Sequence, residues 1–192
     1  MRQEINLGKI PLLISDWDDF FNHKSTIVET CILSEKINTI ESNVAVKAKH
    51  NLWESPFNFL ENTKLVDLKL WIILESEFLI SSLNNKLIRV SLIESWAHVT
   101  RTGGFHSPHY HNNSTWSGIF YVQSDDIDSG NNNWYLPYYI ERKIGLEFAE
   151  DKITASFVPG RMLLFPSMLL HDAAPYLGTD PRIVIGFNLI CL

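Results

Sequence analysis

The chain is short of cysteine, of positive charge and of long apolar runs. Two cysteines, Cys31 and Cys191, stand far apart and outside any CxxC spacing. That excludes a disulfide framework and suits reduced, buried thiols of a cytoplasmic protein. Sixteen Lys and Arg face 22 Asp and Glu, a formal charge of −6, which argues against a general electrostatic grip on nucleic acid. No run approaches the ~18 apolar residues of a membrane helix. Met1-Arg2-Gln3-Glu4 is followed by no apolar core ending in small residues, so no secretory leader is expected. Internal repeats and low-complexity segments are absent too. Neither nucleic acid nor membrane is an expected partner, and a homodimer stays open.

What is present is an ordinary globular composition, 45% hydrophobic and 20% charged over 192 residues, enough for one domain with a sizeable core. Six Trp within 12% aromatics suit an aromatic-lined barrel or pocket. Residues 4–14 read as a short strand whose Pro11 favours an edge position. Ser15-Asp16 can then cap a short helix through Phe20 and Phe21. Val44–Ala48 is compatible with a strand, and Ser55-Pro56 with a helix start. Leu65, Leu68, Trp71, Ile72, Leu79 and Leu83 recur at three- and four-residue spacing, so residues 65–83 are expected to form an amphipathic helix ended by Asn84-Asn85.

Beyond residue 86 the pattern is one of strands. Residues 87–101 alternate with both faces partly apolar, as in a strand buried on two sides. Glu94 and His98 either line a pocket or form a satisfied polar pair in the core. Gly103-Gly104 allows a turn. A strand then runs to Val122, followed by a polar loop over residues 123–133 and an aromatic cluster from Trp134 to Tyr139. The segment 123–140 is the candidate for substrate contact. Pro159-Gly160 and Gly178-Thr179-Asp180-Pro181 mark further turns, and Arg182–Cys191 forms the last strand. Short strands, frequent turns and almost no helix after residue 85 predict a mainly β fold. The expected form is a cupin-like jelly roll over residues 87–192, with helical and mixed support from residues 1–86 packed on one sheet.

Two histidines, His109 and His111, sit at the mouth of a strand at i and i+2, a spacing that puts both on one face. His171 precedes another strand, and three imidazoles converging on one ion make a good site for a borderline metal. His106 and Tyr110 look like bystanders. Arg182 opens a strand of core residues with no acidic residue on its own face, which leaves room for an external carboxylate. By parity Ser117 and Tyr121 share the face of His109 and His111, and the Tyr121 phenol can reach the same carboxylate.

Several motifs stand in order: Glu94-Ser95-Trp96, Gly103-Gly104, Pro108-His109-x-His111, Ser117-Gly118-x-x-Tyr121-Val122, Leu164-Phe165-Pro166-Ser167, His171 and Arg182-x-x-x-x-Phe187-Asn188. Over about residues 88–190 this set resembles a family of 2-oxoglutarate- and Fe(II)-dependent oxygenases. The resemblance implies a double-stranded β-helix, a centre holding Fe(II), 2-oxoglutarate as cosubstrate, and O₂ consumed in an oxidation, most simply a hydroxylation, of a small-molecule or peptide substrate. It places His109 and His171 on the metal and Arg182 on the far carboxylate of 2-oxoglutarate.

Two positions depart from the family pattern. His111 stands where a carboxylate ligand is usual. Either the centre uses three histidines, or His111 is off the metal and a water or another carboxylate replaces it; strand parity points Asp172 elsewhere. Val184 stands where an Arg-x-Ser pattern would give the cosubstrate a hydroxyl. A cupin-like three-His metal protein, whether a dioxygenase without cosubstrate or an isomerase, and a non-catalytic jelly-roll module are the rival readings.

Overall fold

The computed structural model describes residues 10–37, 51–135 and 152–192. Two helices, α1 (Phe20–Ile37) and α2 (Val66–Asn84), accompany ten strands. The strands are β1 (Leu13–Asp16), β2 (Leu52–Glu54), β3 (Val90–Thr100), β4 (His106–His109), β5 (Trp116–Gln123), β6 (Asn132–Tyr135), β7 (Lys152–Ala155), β8 (Arg161–Pro166), β9 (His171–Ala173) and β10 (Arg182–Cys191). They build a six-stranded sheet in the order β1-β8-β5-β10-β3-β2 and a four-stranded sheet in the order β4-β9-β6-β7. Every pairing is antiparallel. This is the expected mainly β jelly roll.

Period-2 alternation assigns the two faces of the large sheet to different cores. Phe120, Leu164 and Ile185 turn outward onto the helices, joining Phe20 and Ile27 of α1 and Leu68 of α2. Their neighbours Ile119, Leu163 and Val184 turn inward and meet Trp134 and Phe165 between the sheets. The helices therefore cover one face of one sheet and leave the barrel interior to the strands. Helix α2 buries Leu68, Ile72, Ser76 and Ile80, a narrower stripe than the six positions expected, and ends where Asn85 takes a left-handed conformation.

The first described strand is β1, past Pro11; it occupies a sheet edge as expected, and residues 4–9 lie outside the described residues. The N-terminal half differs from expectation in three places. Ser15 and Asp16 belong to that strand and cap no helix. Asp16 lies opposite Arg161 in register and takes two hydrogen bonds from its guanidinium, at 2.7 and 2.8 Å. A cross-strand ion pair thus holds the carboxylate that local pattern assigned to a cap. Helix α1 is correspondingly later and longer than expected. Ser55 starts no helix either, since its N–H donates to Ala97 O and its Oγ accepts from Ala97 N, both at 2.9 Å, so it continues the β2–β3 pairing. The Val44–Ala48 strand lies outside the described residues.

The segment after β5 also differs. Residues 132–135 form β6, and Trp134 is fully buried against Phe165 instead of standing over a substrate; Leu136–Tyr139 lie outside the described residues. The preceding turn is fixed by Asp125, whose carboxylate accepts from Tyr176 Oη and from the N–H groups of Thr179 and Asp180, the last two at 2.9 and 3.0 Å. These bonds shape the turn that delivers the chain into β10 and hold the Asp125 carboxyl well below the usual range, the Tyr176 hydroxyl first among them.

Two outcomes follow from this packing. Gly118 faces Phe187 across β5 and β10, and a Cβ there would come within 2.0 Å of the Phe187 ring. Gly118→Ala should cost about 1–3 kcal/mol by overpacking, read as a lower denaturation midpoint with unchanged m-value. Because the Asp125 pKa is depressed by folding, its contribution is full above the unfolded carboxyl value and fades as pH falls below it. Asp125→Ala should therefore lower Tm at pH 7, and the deficit should begin to shrink only as pH falls below about 4, closing toward the depressed folded value.

Candidate metal centre

His109 closes β4, and His171 opens β9 directly opposite it in register, so two imidazoles start as cross-strand neighbours. His111 lies beyond the end of β4, in the turn that follows. Its N–H donates to Ser167 O at 2.9 Å, and this bond, in place of strand parity, brings its ring to the other two. Ring centroids stand 4.2 Å apart for His109 and His171, 5.1 Å for His109 and His111, and 5.2 Å for His111 and His171. Three imidazoles bound at right angles through one nitrogen at ~2.1 Å would have centroids about 4.6 Å apart, close to the mean observed. One nitrogen of each lies within 4.8 Å of the others.

Protonation suits a cation as well. Nδ1 of His109 meets Ser107 O and Nδ1 of His171 meets Leu169 O, each at 2.9 Å. A carbonyl can only accept, so both Nδ1 atoms carry the proton and both Nε2 atoms keep a bare lone pair. His111 has no such carbonyl. Its Nδ1 lies 3.5 Å from Asn188 Nδ2, at the outer limit of a hydrogen bond. Asn188 is fixed in turn by Ser117 Oγ, which donates to its Oδ1 at 2.7 Å, and by Glu94 Oε2, which accepts from its Nδ2 at 2.7 Å. Burial lowers the pKa of all three histidines, that of His111 to about 4, so the rings are neutral at pH 7. Asp172 turns away: its carboxylate accepts from Asn133 Nδ2 at 2.6 Å and from Tyr135 Oη at 2.5 Å.

A cavity connects the three histidines to Arg182. The Arg182 side chain is 3% exposed. Its Nη2 donates to Asn132 Oδ1 at 2.8 Å, and its guanidinium carbon lies 5.4 Å from the Phe157 ring centre and 5.9 Å from that of Tyr121. Among the described residues no carboxylate lies within salt-bridge range of it, and its Nε is buried without a hydrogen-bond partner. Desolvation lowers its pKa, yet a guanidinium stays charged in proteins. Thr100 is the direct cross-strand partner of Arg182. It borders the same cavity, and its Oγ1 is buried and likewise unpartnered.

Ser117 borders this cavity with its hydroxyl spent on Asn188. Tyr121 is fully buried behind it, stacked on Phe157 at 4.5 Å and donating to Asn132 Oδ1 at 3.1 Å, so it touches Arg182's partner and not the cavity. Val184 borders the cavity beside Arg182 without a hydroxyl to offer. Sequence reasoning missed Thr100 and Asn132, whose positions depend on strand pairing. It also undervalued His106, which lines the cavity with its ring 4.1 Å from that of His109. His98 pairs with Glu54 and Glu94 with Asn188; the two do not pair with each other.

Residues 94–188 match the family described as "Putative 2OG-Fe(II) oxygenase". No curated protein sequence matches the chain. Among solved structures, a Pseudomonas putida prolyl-4-hydroxylase superposes with a TM-score of 0.64 at 13% identity, over 94% of this chain and 93% of its own. A viral collagen prolyl hydroxylase from Paramecium bursaria Chlorella virus-1, in complex with 2OG, gives 0.62 at 12% identity, over 95% and 96%. A Trichoplax adhaerens prolyl hydroxylase, in complex with a hypoxia-inducible-factor peptide fragment, gives 0.64 at 16% identity, over 93% and 83%. At these identities the superpositions show a shared fold. The chain belongs to the 2OG-Fe(II) oxygenase family and is an Fe(II)- and 2-oxoglutarate-dependent oxygenase.

Proposed function

We propose that His109, His111 and His171 hold the Fe(II), and that Arg182 together with Thr100 receives the far carboxylate of 2-oxoglutarate. The observation that carries this reading is the pair of orphaned buried groups, Arg182 Nε and Thr100 Oγ1, facing one cavity with three neutral imidazoles. A buried charge without a counter-ion is costly, and a dicarboxylate reaching from the metal to the barrel floor would supply one. Thr100 makes good the missing hydroxyl at Val184 from the neighbouring strand. Asn132 and Tyr121 act one step back: the phenol fixes the amide, and the amide fixes the guanidinium. Ser117 has the same supporting part towards Asn188. When bound, the iron and 2-oxoglutarate couple O₂ reduction and decarboxylation to succinate with oxidation of a substrate. Three neutral ligands in place of two and a carboxylate leave one more unit of positive charge on the centre.

A second cavity opens over His109 and His111 and is bordered by Glu54, Glu94, Trp96, Phe57 and Tyr110. Among the described residues no Lys or Arg lines it. This mouth is where the substrate enters, and its carboxylates favour a neutral or cationic substrate over an acidic one. The two helices serve the barrel as support within a single domain. The free thiols of Cys31 and Cys191 fit a reducing, cytoplasmic setting.

Anaerobic addition of Fe(II) and 2-oxoglutarate should give a metal-to-ligand charge-transfer band, and succinate should form with turnover. Thr100→Val removes one hydrogen bond to a charged group, worth ~1.5–3 kcal/mol, and should weaken 2-oxoglutarate binding roughly tenfold or more. Arg182→Ala should weaken it further. An unchanged titration in both variants would sink the assignment. For the metal, His111→Ala should lose Fe(II) binding and the band while His111→Asp keeps them. Full iron affinity in His111→Ala would put His111 off the metal.

A further inference from the structure

Among the described residues a second group able to hold a metal ion stands beside the first, made of Glu54, His98 and His106. Glu54 ends β2 and lies directly across from His98 of β3, while His106 opens β4. One ligand atom of each falls within 4.8 Å of the others. Glu54 is 6% and His106 7% exposed, which sets the group apart from a chance meeting of surface side chains. The His106 Nδ1 faces Ser107 O at 3.2 Å, so its proton sits there and Nε2 keeps a lone pair. Glu54 Oε2 and His98 Nε2 meet at 2.8 Å, a contact from which one proton would have to leave. The His98 and His106 ring centroids are 5.2 Å apart. Two imidazoles bound to one tetrahedral ion at ~2.1 Å would place them about 5.2 Å apart.

We infer that Glu54, His98 and His106 form a second divalent-metal site, distinct from the three-histidine centre and suited to zinc. Two histidines and one glutamate are a zinc donor set that leaves a fourth position open. Access exists from both sides, since His98 and His106 border the inner cavity and Glu54 and His106 border the mouth. The ion would tie β2 to β3 and β4. Glu54 precedes the family-matched residues 94–188, while His98 and His106 lie within them. Through the 4.1 Å contact of His106 with His109, the site would set a second cation beside the catalytic one.

The test is zinc titration of metal-free protein, read as ions bound per chain and as the rise in Tm expected when a ligand binds the folded state. The wild type should bind two ions. Glu54→Gln, which keeps a hydrogen-bond acceptor for His98 but removes the charge, should bind one and keep the Fe(II)–2-oxoglutarate band. His98→Gln should behave alike, and the His109→Ala/His171→Ala double variant should also keep one ion, the second. If the three-histidine centre held nothing, the wild type would bind one ion and lose it in Glu54→Gln, which leaves this site standing. Two ions retained in both Glu54→Gln and His98→Gln, or a single wild-type ion indifferent to both, would overturn it and leave Glu54–His98 as a plain strand-bracing pair.

Discussion

A guanidinium sealed inside a β-barrel, with no carboxylate in salt-bridge range among the described residues, is the constraint around which this protein is arranged. Moving such a charge out of water costs several kcal/mol even after relaxation. The barrel returns part of that through the Asn132 carbonyl and the faces of Phe157 and Tyr121. It leaves Nε open. The Asn132 amide also donates from Nδ2 to Asp172 O at 3.1 Å, on the residue that follows His171. One side chain therefore braces both the cation at the barrel floor and the strand that carries a histidine of the metal group.

The three histidines reach a common point by two different routes. His109 and His171 each use the carbonyl two residues upstream, of Ser107 and of Leu169, so local backbone shape alone fixes their tautomer and aim. Such bonds from the outer ring nitrogen are how ligating histidines are usually held. His111 has no local carbonyl and depends on a buried polar network instead. There Ser114 donates to Ser167 Oγ, the Ser167 hydroxyl donates to Ser117 Oγ, Ser117 donates to Asn188 Oδ1, and Asn188 Nδ2 donates to Glu94. Networks of this kind hold position well when every member is satisfied. The histidine that departs from the family pattern is thus the one supported by long-range contacts.

Much of this was legible in the sequence because it depends on local rules. Alternation and turns in residues 87–192 gave the jelly roll, and His109, His171 and Arg182 stood out against strands of apolar residues. What escaped depends on register between distant segments. Asp16 looked like a cap because Arg161, its cross-strand partner, is 145 positions away. Thr100 was one more strand residue until β3 and β10 paired it with Arg182. Trp134 looked like part of a loop because Asn131-Asn132-Asn133 reads as a turn, although the Asn132 and Asn133 side chains are bonded into the barrel. Glu94 and His98 both line cavities, one of the two readings open to them, but the carboxylate that pairs with His98 comes from β2 and not from four residues away.

That last substitution alters how the domain's halves relate. Read along the chain, residues 1–86 are scaffolding for a C-terminal barrel, and α1 and α2 do serve so, packed on the outer face of the large sheet. Strand β2 does more. It supplies the edge next to β3 and carries Glu54 into the wall shared by the inner cavity and the mouth. A carboxylate so placed biases every charge near it, including the His98 and His106 rings that stand between it and His109. That part of the wall draws on a residue outside the family-matched segment, carried by a three-residue strand whose hold on the barrel is its pairing with β3. The two groups of side chains meet at one ring-to-ring contact, His106 against His109.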